Sequence, residues 1–122
     1  MKVIVAGSRG ITDYEFIRAN LDHVLPTLTP EPVIVSGTAR GVDQMGERYA
    51  IERGLRCERF PANWDLYGKR AGYIRNEQMA KYADALVVFW DGVSRGTKHM
   101  MDIATKAGLT VVIIGENNAR ND

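Results

Sequence analysis

Short β-branched runs alternate with helix-length amphipathic segments along almost the whole chain, and this alternation restricts the fold more than any other feature. The apolar runs are Val3 to Ala6, Val33 to Val35, a segment around Cys57 to Phe60, Ala85 to Trp90, and Thr110 to Ile114. Between the first two, Phe16, Ile17, Leu21, Val24 and Leu25 recur at helical spacing. They predict a helix over about 13–25, with Thr12 and Glu15 as a capping box. A second helix over about 43–53 turns Val42, Met45, Tyr49 and Ala50 inward, with Asp43 as its N-cap, and ends at Gly54. A third, over 72–82, buries Ile74, Met79 and Tyr82. A fourth, over 97–106, starts at a capping Thr97 and uses Met100, Met101, Ala104 and Ala107 before Gly108.

Near-continuous apolar strands separated by helices require a parallel sheet covered on both faces, and right-handed crossovers return each strand beside an earlier one. The expected fold class is therefore α/β: a single three-layer α/β/α Rossmann-like domain with a five-stranded parallel sheet. The expected order is 3-2-1-4-5, with 2-1-3-4-5 as the alternative. Either order opens a crevice beyond the carboxyl ends of the strands. At 122 residues and 45% hydrophobic content the chain supplies one core and not two. That domain is expected over residues 1–115, followed by a polar tail at 116–122.

Sixteen Lys+Arg against 15 Asp+Glu leave a formal charge of +1 with no basic stripe, which argues against a nucleic-acid partner. The lone Cys57 can form no internal disulfide, and neither it nor His23 and His99 sit at metal-ligand spacing, so no metal and no cofactor are expected. The chain has no apolar run of the roughly 18 residues a spanning helix needs, and MKVIVAGSRG lacks the pattern of a signal peptide. A soluble, cytoplasmic protein without a membrane partner is the expectation.

Four of the five strands are followed by distinctive loops: GSRG at 7–10, SGTARGVD at 36–43, PANWDLYGKRAG at 61–72 and DGVSRGT at 91–97. In a parallel sheet these loops converge, and each following helix aims unpaired N–H groups and a positive dipole end toward them. Phosphate is the natural guest. In the first loop Gly7, Ser8 and Arg9 are candidates. In the second, Gly37 and Gly41 permit close backbone approach, Ser36 and Thr38 offer hydroxyls, Arg40 a cation, and Asp43 either a cap or an acceptor for ligand hydroxyls. In the third, Asn63 and Trp64 lie among amides and cations, and the indole can stack on a base or anchor its own segment. Arg75 and Asn76 open the next helix, where a cation opposes the dipole and calls for an anionic partner. Ser94, Gly96 and Thr97 repeat the small-residue pattern after the fourth strand. Neither a Walker A sequence nor the dinucleotide fingerprint is present.

Taken together, GSRGITD, SGTARGVDQMGERYA, FPANWDLYGKRAGYIRN and FWDGVSRGTKHM resemble the YspA-like branch of the SLOG superfamily nearly end to end. The resemblance implies a Rossmann-like sheet and recognition of nucleotides or molecules derived from them. Residues Arg75 to Met79 look like the R-K-x-x-M helix start of the LOG phosphoribohydrolases, and Ser94 to Thr97 like the core of their P-G-G-x-G-T-x-x-E loop. The glutamate of that loop falls on Met100, which cannot exchange a proton. Any hydrolase would need Asp43, Glu77 or Asp102 instead, with Arg75 positioning the phosphosugar. The S-G-x-A-R-G-I-D stretch of the DNA-processing protein DprA is similar to Ser36 through Asp43. The preferred expectation is a binding protein or sensor for a small nucleotide-like ligand. An N-glycosidic hydrolase and, third, a single-stranded DNA binder are the alternatives. Pairing into a homo-oligomer is also expected from related folds.

Overall fold

All five strands run parallel in the order β3-β2-β1-β4-β5, which is the expected 3-2-1-4-5 arrangement. The computed structural model describes residues 1–115, and the expected polar tail lies outside the described residues. The elements are β1 (Lys2–Gly7), α1 (Tyr14–Leu28), β2 (Val33–Ser36), α2 (Val42–Arg53), β3 (Cys57–Arg59), α3 (Trp64–Tyr67), α4 (Ala71–Tyr82), β4 (Ala85–Trp90), α5 (Arg95–Lys106) and β5 (Thr110–Gly115). A single 3-10 turn, Gly68–Arg70, joins α3 to α4.

The period-2 alternation of the central strand explains the layers. Val3 and Val5 face one side and pack with Ile17, Leu21 and Leu25 of α1 and Val42 and Tyr49 of α2. Ile4 and Ala6 face the other and meet Met79 and Ala80 of α4 and Met100 and Ala104 of α5. Each fully buried aliphatic side chain here contributes roughly 1.5–3 kcal/mol. Because α1 and α2 cover one face and α4 and α5 the other, the chain changes sides between β1 and β4, and the crevice expected at such a switch point opens there.

Two glycines let the layers approach. A Cβ on Gly7 would sit 2.5 Å from the Phe89 carbonyl oxygen and 2.7 Å from Val42 Cγ2. One on Gly46 would sit 3.0 Å from Val5, so α2 lies directly on β1.

Several helix ends differ from the sequence expectation. Asp13, not Thr12, caps α1, accepting from the Glu15 and Phe16 N–H groups at 3.1 and 3.3 Å. The helix also continues through Pro26 to Leu28, because Leu28 packs against the core and outweighs the hydrogen bond that proline cannot donate. Gly41 (φ 89°), not Asp43, occupies the N-cap of α2, and Asp43 lies inside the first turn. α5 starts at Arg95 with Ser94 at its N-cap, so Thr97 is a buried helical residue and not a cap. Gly54 ends α2 in the left-handed conformation (φ 66°), as expected. Among the described residues no helix is long and apolar enough to cross a membrane.

Candidate functional site

The loops after β1, β2, β3 and β4 meet around a crevice of about 600 Å3 at the carboxyl edge of the sheet. Gly7 and Arg9 come from the first loop, Gly37, Thr38 and Asp43 from the second, Trp64 and Lys69 from the third, and Ser94 to Thr97 from the fourth. Arg75 and Asn76 enter from α4. Among the described residues four cations, Arg9, Lys69, Arg75 and Arg95, thus line the crevice against one carboxylate, Asp43. None of the seven ion pairs among the described residues uses any of those four cations. The chain is nearly neutral, yet its crevice is strongly positive.

The SGTARGVD turn is built around Asp43. Only 5% of this residue is exposed. Its Oδ2 accepts the Ala39 N–H at 3.2 Å, and its Oδ1 has no hydrogen-bond partner among the described residues. Burial raises its carboxyl from the ordinary value of 3.8 to about 6, against the opposing pull of the Ala39 N–H and of Arg75. Arg75 lies a full turn inside α4 and not at its start, so the dipole argument for it does not apply. Its guanidinium donates instead to the Gly37 carbonyl and, through Nε, to Asn76 Oδ1 at 3.1 Å. A Cβ on Gly37 would be 2.8 Å from both Arg75 Nη1 and Asp43 Oδ2, which is why only glycine fits between them. The next residue, Thr38, holds φ 65°, an uncommon conformation for a β-branched side chain. Asn76 is buried and donates toward Gly96 O at 3.5 Å, within 3.3 Å of His99 Nδ1, tying α4 to α5.

Five of the sequence candidates lie outside this lining. Ser36 is wholly buried; its hydroxyl donates to Glu47 Oε2 at 2.6 Å and accepts the Thr38 N–H at 3.0 Å. Ser8 is equally internal: its Oγ accepts the Asp91 N–H at 3.1 Å and lies 3.5 Å from the Thr97 hydroxyl. Asn63 accepts the Leu66 N–H at 3.1 Å and caps α3. Gly41 supplies the cap of α2, and Arg40 is exposed beyond the rim. Of the other carboxylates considered, Glu77 is exposed and outside the lining, and Asp102 is engaged by Lys98 Nζ at 2.9 Å. Met100, at the position where LOG enzymes carry glutamate, does line the crevice.

Lys69, Tyr73 and Arg95 also line the crevice, and sequence reasoning did not single them out as ligand residues. Tyr73 stacks at 4.3 Å on His99. The signal for Lys69 and Tyr73 was their place in or just after the long third loop, interrupted by the short helix α3, and that for Arg95 was its place in the fourth loop. Asp91 explains the fourth loop: its carboxylate accepts the Val93 and Ser94 N–H groups at 2.9 and 2.8 Å, which lowers its carboxyl to about 2. That turn sets the start of α5, Arg95 to Thr97, at the crevice.

The profile described as YspA, cpYpsA-related SLOG family matches residues 1–67, more than half of the sequence. The chain belongs to this family. The Gene 61 protein of Mycobacterium phage D29 is 36% identical over 123 residues, spanning 94% of this chain and 97% of that protein. No solved structure matches. The family match covers β1 through α3 and so includes the loops carrying Arg9, Asp43 and Trp64. Membership in the SLOG family points to binding or processing of a nucleotide-related ligand.

Proposed function

We propose that this SLOG protein binds a small nucleotide or nucleotide-derived anion in the crevice and serves as a binding protein or sensor for it. The observation that carries this reading is the concentration of four cations, none in an ion pair among the described residues, at the convergence of four loops. Free N–H groups of a twelve-residue helix, α5, add a positive dipole end. Trp64, 56% exposed on α3, supplies a ring on which a base can stack. Calorimetric titration with the four ribonucleoside 5′-monophosphates and ADP-ribose tests it. Saturable binding of at least one is expected. No binding of any would sink the reading.

A second reading is favoured by Asp43 itself. It is the one carboxylate lining the crevice among the described residues, and burial raises its carboxyl to about 6, where a general acid–base works at neutral pH. In that reaction water adds at C1′ of the ribose, the C1′–N bond breaks, and the base leaves with a proton. Chromatography of nucleotide incubated with the protein decides it: free base is expected from an enzyme, and none from a sensor.

A further inference from the structure

We propose that Asp43 accepts hydrogen bonds from the ribose hydroxyls of the bound nucleotide, so that the crevice selects ribonucleotides over their deoxy counterparts. The proposal rests on the nucleotide reading above and names the part of the ligand that one residue recognises.

Asp43 is a nine-tenths-buried carboxylate whose Oδ1 has no partner among the described residues. No buried side-chain oxygen or nitrogen among them is left without a partner, so this atom keeps access to the crevice that Asp43 lines. An ionised carboxylate only accepts, so its missing partner is a donor. Among the described residues no group of three or more His, Cys, Asp or Glu side chains gathers at Asp43 to share a metal ion. A phosphate would repel it. A sugar hydroxyl is neutral and donates.

The cation beside Asp43 favours a hydroxyl of the sugar over an amino group of the base. Beside Asp43 stands Arg75, both reaching within 2.8 Å of the point where a Gly37 Cβ would be. An acceptor and a cation side by side match a phosphoribosyl group, in which one ring carries both hydroxyls and a phosphate. Three charged side chains act on Asp43 from the surrounding elements: Arg9 from the loop after β1, Arg75 from α4 and Glu47 from its own helix. Hydroxyl donors stabilise the ionised carboxylate, so selectivity should fade as Asp43 takes up its proton around pH 6.

The test compares each ribonucleoside 5′-monophosphate with its 2′-deoxy and 3′-deoxy forms by calorimetry at pH 7.5 and pH 5. Phosphate titration cancels in the ratio. Loss of a hydrogen bond to a charged acceptor predicts about 10-fold weaker binding of a deoxy form at pH 7.5. That ratio should shrink at pH 5 and collapse in Asp43→Asn. Equal affinity for ribo and deoxy forms at pH 7.5, or a ratio that survives Asp43→Asn, would overturn the proposal and leave nucleotide binding intact. No binding of any form would instead remove the nucleotide reading and this one with it. Should Asp43→Asn fail to fold, the wild-type ratio at the two pH values still decides.

Discussion

The outer face of α1, α2 and β3 and the crevice on the carboxyl edge treat charge in opposite ways. On the outer face nearly every cation has a partner: Arg53 donates to both oxygens of Asp22, Arg48 to Glu52, Arg56 to Glu58 and Arg59 to Glu47. Tyrosines join in, with Tyr14 on Glu52 and Tyr49 on Asp22 at 2.6 Å each, and burial and these carboxylates push both phenols up to about 12. In the crevice Arg9, Lys69, Arg75 and Arg95 have no carboxylate of the described residues within ion-pair distance, and Asp43, the one carboxylate among the described lining residues, has an open oxygen. Exposed pairs on the outer face contribute little each but hold two helices in register. Unpaired charges facing one another inside a crevice oppose folding, and that arrangement is the mark of a site shaped for something else to fill.

The sharpest way to break this comparison is to reverse the crevice charge without touching its hydrogen-bond framework. Lys69 and Arg95 are exposed and form no side-chain hydrogen bond or ion pair among the described residues. Lys69→Glu with Arg95→Glu should weaken nucleotide binding by at least about 100-fold while leaving the melting temperature within a degree or two. The matching reversal on the outer face, Arg56→Glu, should leave binding unchanged. Equal losses from both would mean that the general field of the protein, and not the crevice, attracts the ligand.

Much of this division was legible in the sequence, and its gaps have physical causes. Alternating apolar periods specify strands and helices because burial on both faces of a parallel sheet needs near-continuous runs, so β4 (Ala85–Trp90) is read to the residue. Loop convergence then follows from topology, which brings Arg9, Asp43, Trp64 and Arg75 together across 67 positions of sequence. What sequence does not carry is direction. Ser36 and Ser8 sit in the right loops, but their hydroxyls turn inward to Glu47 and Asp91. Gly7 reads as a phosphate-loop glycine, yet the approach of the Phe89 carbonyl also demands it. Asp43 reads as a cap because aspartate near a helix start usually is one. Gly41, with its positive φ, takes that place and frees the carboxylate.

Asp43 sharpens the comparison through stability. Its carboxyl rises from 3.8 to about 6 in the folded protein, so the folded state holds a proton that the unfolded chain has already lost between those values. Stability therefore falls as pH rises from about 4 to about 6 and stays lower above, by up to about 3 kcal/mol. Asp43→Asn keeps an acceptor for the Ala39 N–H and removes the buried charge. At pH 8 the variant should be the more stable protein by up to that amount, and the gap should close as pH falls toward 4. Chemical denaturation of both proteins across this range checks it. A gap independent of pH would show that Asp43 is not held against its own ionisation.

On the outer face the corresponding change has the opposite sign and a smaller size. Asp22 is an acceptor shared by Tyr49 and Arg53, and those partners lower its carboxyl, so its contribution is present at neutral pH and fades as pH falls below the ordinary value of 3.8. Asp22→Ala leaves the Tyr49 hydroxyl and the Arg53 guanidinium near the surface, where water replaces the lost acceptor. A destabilisation of about 1 kcal/mol at pH 7 is expected, with nucleotide affinity unchanged. If Asp22→Ala instead weakened binding, α1 and α2 would be transmitting strain to the turn that carries Asp43. The outer face would then be part of the site's scaffold, and the two regions would no longer be independent.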